Sequence, residues 1–226
     1  NISNFGVLAI NNPEGAIIQD GTQNTFEVDN KLILEQGVLD ISSNLFIIGE
    51  NAVIENQSGD SDRGAFEATN MVQTNSSFTD FGLQKRFNTG VQTDFVFPVG
   101  QQIYTPIEVN MTANLAGTSS SITVRPANEP HPTIVGHDNT GANSPGTLDD
   151  EANVLQYHWI ITSNGITSFT GDIRMEYDPS DISFLDPGDA TASPLSFDER
   201  NYAAARLLSS AINWDKSFDG SSFDES

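Results

Sequence analysis

Residues 24–56 read NTFEVDNKLILEQGVLDISSNLFIIGENAVIEN. Apolar residues alternate within short runs: Phe26 and Val28, Leu32 and Leu34, Leu39 and Ile41. Turn residues cut the runs at Asp29-Asn30, Gln36-Gly37, Ser42–Asn44 and Gly49–Asn51. A period of two marks strands with one buried face, because successive side chains leave a strand on opposite sides. The five runs are Thr25–Val28, Lys31–Glu35, Val38–Ile41, Leu45–Ile48 and Ala52–Glu55. Turns recurring at about every seventh position leave no room for a crossover helix between them. The stretch therefore predicts a meander or the coils of a β-solenoid.

Beyond it, residues 57–65 (QSGDSDRGA) form a polar loop, and the candidate strands lengthen. They are Gly64–Thr69, Ser77–Phe81, Phe95–Val99, Ile107–Ala113, Ser121–Arg125, Gln156–Thr162 and Gly171–Tyr177. A long polar insertion, Asn128–Asn153, separates the last two from the rest; insertions of that length in a compact domain are commonly functional or mobile. Such strands with one long connection describe a β-sandwich. The expected fold is all-β: a strand-ladder or short β-solenoid-like N-terminal layer over 1–75, packed on an antiparallel, Ig-like β-sandwich over 76–226. The ladder is not expected to continue through further coils after residue 57, which argues against a catalytic β-helix. Near the C-terminus two readings stay open. Ser196-Phe-Asp-Glu199 fits a capping box before an alanine-rich helix, whereas Tyr202, Ala204, Arg206, Leu208, Ser210, Ile212 and Trp214 can form one face of a strand.

The 226 residues carry 31 acidic and 9 basic side chains, a formal charge of −22 and a pI near 4.1. So negative a surface repels phosphate backbones and anionic headgroups, so nucleic acid and membrane surfaces are not expected partners. No apolar run approaches the ~20 residues of a membrane helix. The absence of cysteine removes disulfides, thiolate metal sites and a cysteine nucleophile. Asn1 is not an initiator methionine and no signal-peptide pattern follows it, which reads as a mature chain or an excised fragment.

Catalytic chemistry finds little footing. His131 and His137 lie in the long insertion and His158 in a strand beside Trp159; no triad assembles by spacing, and G-x-S-x-G, H-E-x-x-H and phosphate-loop motifs are absent. A carboxylate pair for sugar hydrolysis is always available among 31 acids, so its availability carries no weight. The expectation is a protein that is not an enzyme. Calcium is the stronger cofactor candidate, because hard cations take several loop oxygens. Three stretches offer them: Asn56–Asp62, Asp138–Asp150, and above all the run containing Asp178, Asp181, Asp186 and Asp189. The competing explanation is turn chemistry, since Asp and Asn bond their own backbone. Lys85-Arg86, a basic pair amid acid, is expected to pair with a neighbouring carboxylate.

One ordered set of elements is familiar: Gly82-Leu-Gln-Lys-Arg-Phe87, Phe95-Val-Phe-Pro-Val-Gly100, Tyr104-Thr-Pro106, Gln156-Tyr-His-Trp-Ile-Ile161, Ile173-Arg-Met-Glu-Tyr177 and a Tyr202…Trp214 close, preceded by the ladder. It resembles modules of large secreted cell-surface proteins of the Bacteroidota, substrates of type IX secretion. The resemblance implies extracellular structural or adhesive work, with no catalytic residues to transfer. The implied partners are other copies or other modules of the same surface protein, and possible glycan. The rival reading is a carbohydrate-binding or polysaccharide-processing accessory module. Independently of the family, Pro98 removes a ladder donor and must end the Phe95–Phe97 run or place it at an edge, Gly100 suits a tight turn, and Phe95 and Phe97 share a core face.

Overall fold

The computed structural model describes residues 2–18, 25–74, 81–90, 93–129, 155 and 157–177, with the backbone alone over 113–119. All lie in the first of two units, Asn1–Ser183; the second is Phe184–Ser226. The first strands in chain order are β1 (Ile2–Asn11), β2 (Ala16–Ile17), β3 (Thr25–Gln36), β4 (Leu39–Asp40), β5 (Leu45–Ile48), β6 (Val53–Glu55) and β7 (Val72–Gln73). There follow β8 (Gly82–Arg86), β9 (Thr93–Phe97), β10 (Val99–Gln101), β11 (Ile103–Tyr104), β12 (Ile107–Ala127) and β13 (His158–Met175). The protein is all-β. The single helical element among the described residues is a 3-10 turn over Arg63–Ala65.

The pairing turns the ladder into a coil. β1, β3, β5 and β8 lie side by side in one sheet, each parallel to the next. β2, β4, β7 and β10 do the same in a second sheet. Because chain order alternates between the sheets, each circuit adds one strand to each, and the result is solenoid-like. Neighbouring circuits are one strand spacing apart, about 4.8 Å.

Register stacks like on like. Phe5, Val28, Ile48 and Lys85 form one inward column, Leu8, Leu32 and Ile54 another, and Ala16, Leu39, Val72 and Val99 a third. Val28, Ile48, Leu32, Val72 and Val99 have no exposed surface at all. The apolar positions that alternate in the sequence are these columns, and burying them is the main gain that offsets ordering the chain.

The ladder runs further than the sequence spacing suggests. It starts upstream at β1 and β2 and, contrary to the expectation of an end near residue 57, continues through β7, β8 and β10. The connections at 56–71 and between β7 and β8 lengthen the circuits without changing their register, so the even spacing that identifies coils is lost from the sequence; the expected strand Ser77–Phe81 falls on residues of which all but Phe81 lie outside the described ones. Gly64–Thr69, expected as a strand, is instead the end of the 3-10 turn, two irregular residues and a second turn. Ile107–Ala113 and Ser121–Arg125 join into β12, and Gln156–Thr162 and Gly171–Tyr177 join into β13. These two pair along most of their length, with irregularities between Ala116 and Ser121 that absorb the Gly and Ser residues which read as breaks.

β12 closes the stack. It runs antiparallel to β9 through Ile107–Met111 and to β8 through Ser121–Val124, covering the edge of the last circuit. Pro98 sits between β9 and β10, as a residue without an N–H should, and its carbonyl accepts from Val72 N–H at 2.8 Å. Phe95 and Phe97 do share a face, their rings edge-on with centroids 4.8 Å apart. Gly100 is not the turn residue expected. It lies within β10, where the Ile103 carbonyl approaches too closely for a side chain, and the left-handed turn residue is Gln102 (φ 67°). The expected insertion from residue 130 and everything from 178 onward, including 200–214, lie outside the described residues.

The corner between β3 and β4 is the tightest point of the coil. Gly37 has φ +89°, and a Cβ there would overlap the Asn12 carbonyl oxygen of the adjacent circuit. Gly37→Ala is expected to destabilise by about 1–3 kcal/mol, from left-handed backbone strain plus the displaced neighbour. Gly64→Ala, where a Cβ meets nothing within 4 Å, should stay within about 0.5 kcal/mol of the parent. Urea midpoints of the two variants check this.

Candidate functional site

The circuits differ at one corner, and a cleft results. Between the first and second walls the corner takes one residue in β1 (Gly6), two in β3 (Asp29 and Asn30) and four between β5 and β6 (residues 49–52). Between β8 and β9 it spans residues 87–92. The growth carries β9 away from β6: β6 pairs with β3, and β9 with β12. The seam left between them is a cleft of about 200 Å³, lined among others by Glu50, Asn51, Lys85, Phe87, Asp94 and Phe95.

Lys85 forms the floor of this cleft and is 4% exposed. Its place in the inward column, directly after Ile48, puts an ammonium where the other circuits have hydrocarbon. Nζ donates to the carbonyls of Gly49 at 2.6 Å, Glu50 at 3.0 Å and Ala52 at 2.8 Å. It also stands 5.2 Å from the Phe95 ring centroid. An ammonium has three donors, and here three backbone carbonyls take them. The long 49–52 corner turns those carbonyls inward, away from any ladder; the Gly49 carbonyl also accepts from Ala52 N–H at 3.1 Å, and Lys85 donates to all three. Burial pushes the Lys85 ammonium down to about 8, with Glu50 acting in the opposite direction.

The expected carboxylate pairing therefore holds for one member of the basic pair. Arg86 faces outward and pairs with Glu27, two strands away across β5. Other ion pairs also join separate elements: Lys31 to Glu55 at 2.7 Å, Arg63 to Glu176 at 2.9 Å and Arg174 to Glu108 at 3.7 Å. Around Arg63 the contacts widen, for Tyr104 Oη donates to the Arg63 carbonyl at 3.0 Å. Burial raises the Tyr104 phenol, Glu176 adds to the rise, and Arg63 opposes it.

His158 is half-buried, as its strand position suggests, with Nδ1 2.9 Å from the Glu129 carbonyl oxygen. Nδ1 accordingly carries the proton as donor. Burial lowers the His158 ring's affinity for a second proton, and Glu129 counters it. Trp159 Nε1 donates to the Thr105 carbonyl at 3.1 Å and its ring meets Tyr157 edge-on. His131 and His137 lie outside the described residues.

So do Asp178, Asp181, Asp186 and Asp189, and the Asp138–Asp150 stretch. Of the three oxygen-rich loops only Asn56–Asp62 is described, and there the turn explanation accounts for the donors. Asn56 Oδ1 accepts from Ser58 N–H at 2.8 Å and Asp60 N–H at 3.0 Å, and Asp60 Oδ1 accepts from Asp62 N–H at 3.0 Å. The keystone role of Lys85 is the feature that sequence reasoning missed. Its one available signal was position, since Lys85 occupies an inward place in the Leu83-Gln84-Lys85 alternation.

No protein-family model matches the sequence, no curated protein matches it, and no solved structure matches it.

Lys85→Met keeps the apolar stem but removes the side-chain donor from three corner carbonyls, of which Gly49 keeps its bond from Ala52 N–H, and a loss of about 1–3 kcal/mol at neutral pH is expected. The pH dependence carries a second signature. With a folded pKa near 8 against 10.5 for an ordinary lysine, the unfolded chain binds more protons between those values. Stability from this group therefore rises with pH through that window, by at most roughly 1.4 kcal/mol per pH unit. Lys85→Met lacks that contribution, so the gap between parent and variant should widen from ~pH 7 to ~pH 10. Denaturant titrations at the two pH values test it; a constant gap excludes a depressed Lys85.

Proposed function

We propose that this chain is a non-catalytic structural and adhesive module of an extracellular bacterial surface protein, a building block whose work is to hold spacing and present a face. The observation that carries this reading is the use made of its scarce cations. The chain has nine basic residues, and five of them, Lys31, Arg63, Lys85, Arg86 and Arg174, bind across from one element to another. In a protein of charge −22, cations placed as struts between elements, three of them (Lys31, Lys85 and Arg86) between circuits of the coil, serve rigidity, because each offsets local repulsion and ties one element to another. The buried Lys85 has its donors engaged by the corner it supports, which suits a framework better than a reacting group. The stacked rungs add stiffness without disulfides, and the charge keeps such a module soluble and apart from nucleic acid. The other modules or copies of the same surface protein are the natural partners.

The test is made on cells that produce the protein. Brief protease treatment of intact cells should release its peptides, and a deletion strain should lose at least half of its adhesion to surfaces or glycan-coated beads. Retention of the protein in the soluble lysate after such treatment, with adhesion unchanged by deletion, would sink the proposal. Release of reducing ends from a polysaccharide panel by the purified chain would move it to the rival, polysaccharide-processing class.

A further inference from the structure

We infer that Asn164-Gly165 is a site of self-modification, at which the Gly165 backbone nitrogen attacks the Asn164 side-chain amide and the asparagine converts to aspartate and isoaspartate. This goes beyond the structural and adhesive reading and does not depend on it. Asn164-Gly165 is the single Asn-Gly pair in the 226 residues. It sits where β12 and β13 lose register. Ser121 pairs with Asn164 and Ala116 with Ile166, so residues 117–120 stand against Gly165 alone. Gly165 has φ +70°. Ser120 Oγ donates to its carbonyl at 2.8 Å, and a Cβ on Gly165 would stand 2.8 Å from that same oxygen. The fold therefore requires a glycine after Asn164, for the left-handed backbone and for the contact with Ser120.

That requirement creates the chemistry. With no Cβ beside it, a glycine nitrogen is the least hindered nucleophile the backbone can offer a neighbouring side chain. Asn164 is exposed, so water and hydroxide reach its amide. Once Gly165 N–H gives up its proton, the nitrogen adds to Asn164 Cγ. The bond from Cγ to the side-chain nitrogen breaks, ammonia leaves, and a succinimide ring remains. Water then opens the ring. Attack at Cγ restores the original backbone with aspartate at 164. Attack at the main-chain carbonyl gives isoaspartate, whose backbone runs through the former side chain. No oxidant or reductant enters, and the product carries OH where the parent carried NH2. No other asparagine in the chain precedes a glycine, and several are restrained as well. Asn12 precedes Pro13, which has no N–H, and Asn44 is 1% exposed. Asn56 Oδ1 accepts from the N–H groups of Ser58 and Asp60, and Asn70 Oδ1 from Glu67 N–H. The new carboxylate falls on the outward column that runs from Arg86 through Ser121 to Asn164. A cation two strands away favours it there, so the fold should tolerate the conversion to aspartate.

Incubation of the freshly purified full chain, in neutral and in mildly alkaline buffer over several weeks, tests it. A form one charge more negative should accumulate on isoelectric focusing. It should do so severalfold faster at the higher pH, because the attacking nitrogen must first lose its proton. Peptide mapping by mass spectrometry should place both aspartate and isoaspartate at position 164. Asn164→Gln, whose longer side chain closes a ring far more slowly, should lose that form while its thermal melt matches the parent. The same incubation in guanidinium separates the part played by the fold from that of the dipeptide. A ladder that held residues 164–165 firmly would make the reaction wait for local opening and slow it accordingly. At this irregular point the folded chain should react within about tenfold of the unfolded one. A folded chain that keeps Asn164 intact, a folded rate slower than that, or an acidic form that persists at the parent's rate in Asn164→Gln overturns the inference.

Discussion

Everything described in this protein depends on parallel register between successive circuits of the coil. A parallel pair fixes which residue lies above which, and a slip of one residue would send every inward side chain to the outside. The columns Phe5–Val28–Ile48–Lys85 and Ala16–Leu39–Val72–Val99 exist only because β1, β3, β5 and β8, and in turn β2, β4, β7 and β10, hold that register. The glycine corner enforces it locally, since the backbone of one circuit lies against the next at Gly37 with no space for a Cβ.

The departures from regularity follow from the corners. As the first corner lengthens from one residue to four, the backbone carbonyls of 49–52 turn away from the ladder and into the coil. Unpaired buried carbonyls are costly, and one lysine donates to three of them, of which Gly49 is also bonded by Ala52 N–H. A buried ammonium is costly as well, which is why its pKa falls, and the contact with Phe95 supplies a further attraction. The cleft above Lys85 is the visible result of this compromise, formed where a wall splits because its corner is long. The ion pairs on the outside, Arg86 with Glu27 and Lys31 with Glu55, bind circuits to one another in the same sense.

The two ends of the stack are treated differently. At one, β12 reverses direction and covers the last circuit, which removes the edge as a template. At the other, β1 and β2 are the first rungs of their sheets among the described residues, in a segment with no charged side chain before Glu14.

Much of this was legible in the sequence. The alternation at 25–55, the turn residues between runs and the acidic excess determined an all-β protein with short punctuated strands, because each is a local property of side chains and φ/ψ preference. Pro98 read correctly for the same reason, as did the shared face of Phe95 and Phe97. The candidate site was legible only in part: Arg86 pairs with a carboxylate as its charge suggests, while Lys85 does not. What the tertiary structure alone decided was which strands share a sheet. Ile2 stacks on Thr25, Thr25 on Leu45 and Leu45 on Gly82, across loops of unequal length, through backbone bonds that leave no mark on residue type. The membership of β7, β8 and β10 in the coil, the joining of broken-looking segments into β12 and β13, and the burial of a lysine among carbonyls all follow from that non-local pairing. Periodicity records which face of a strand is buried; only the fold records what lies against it.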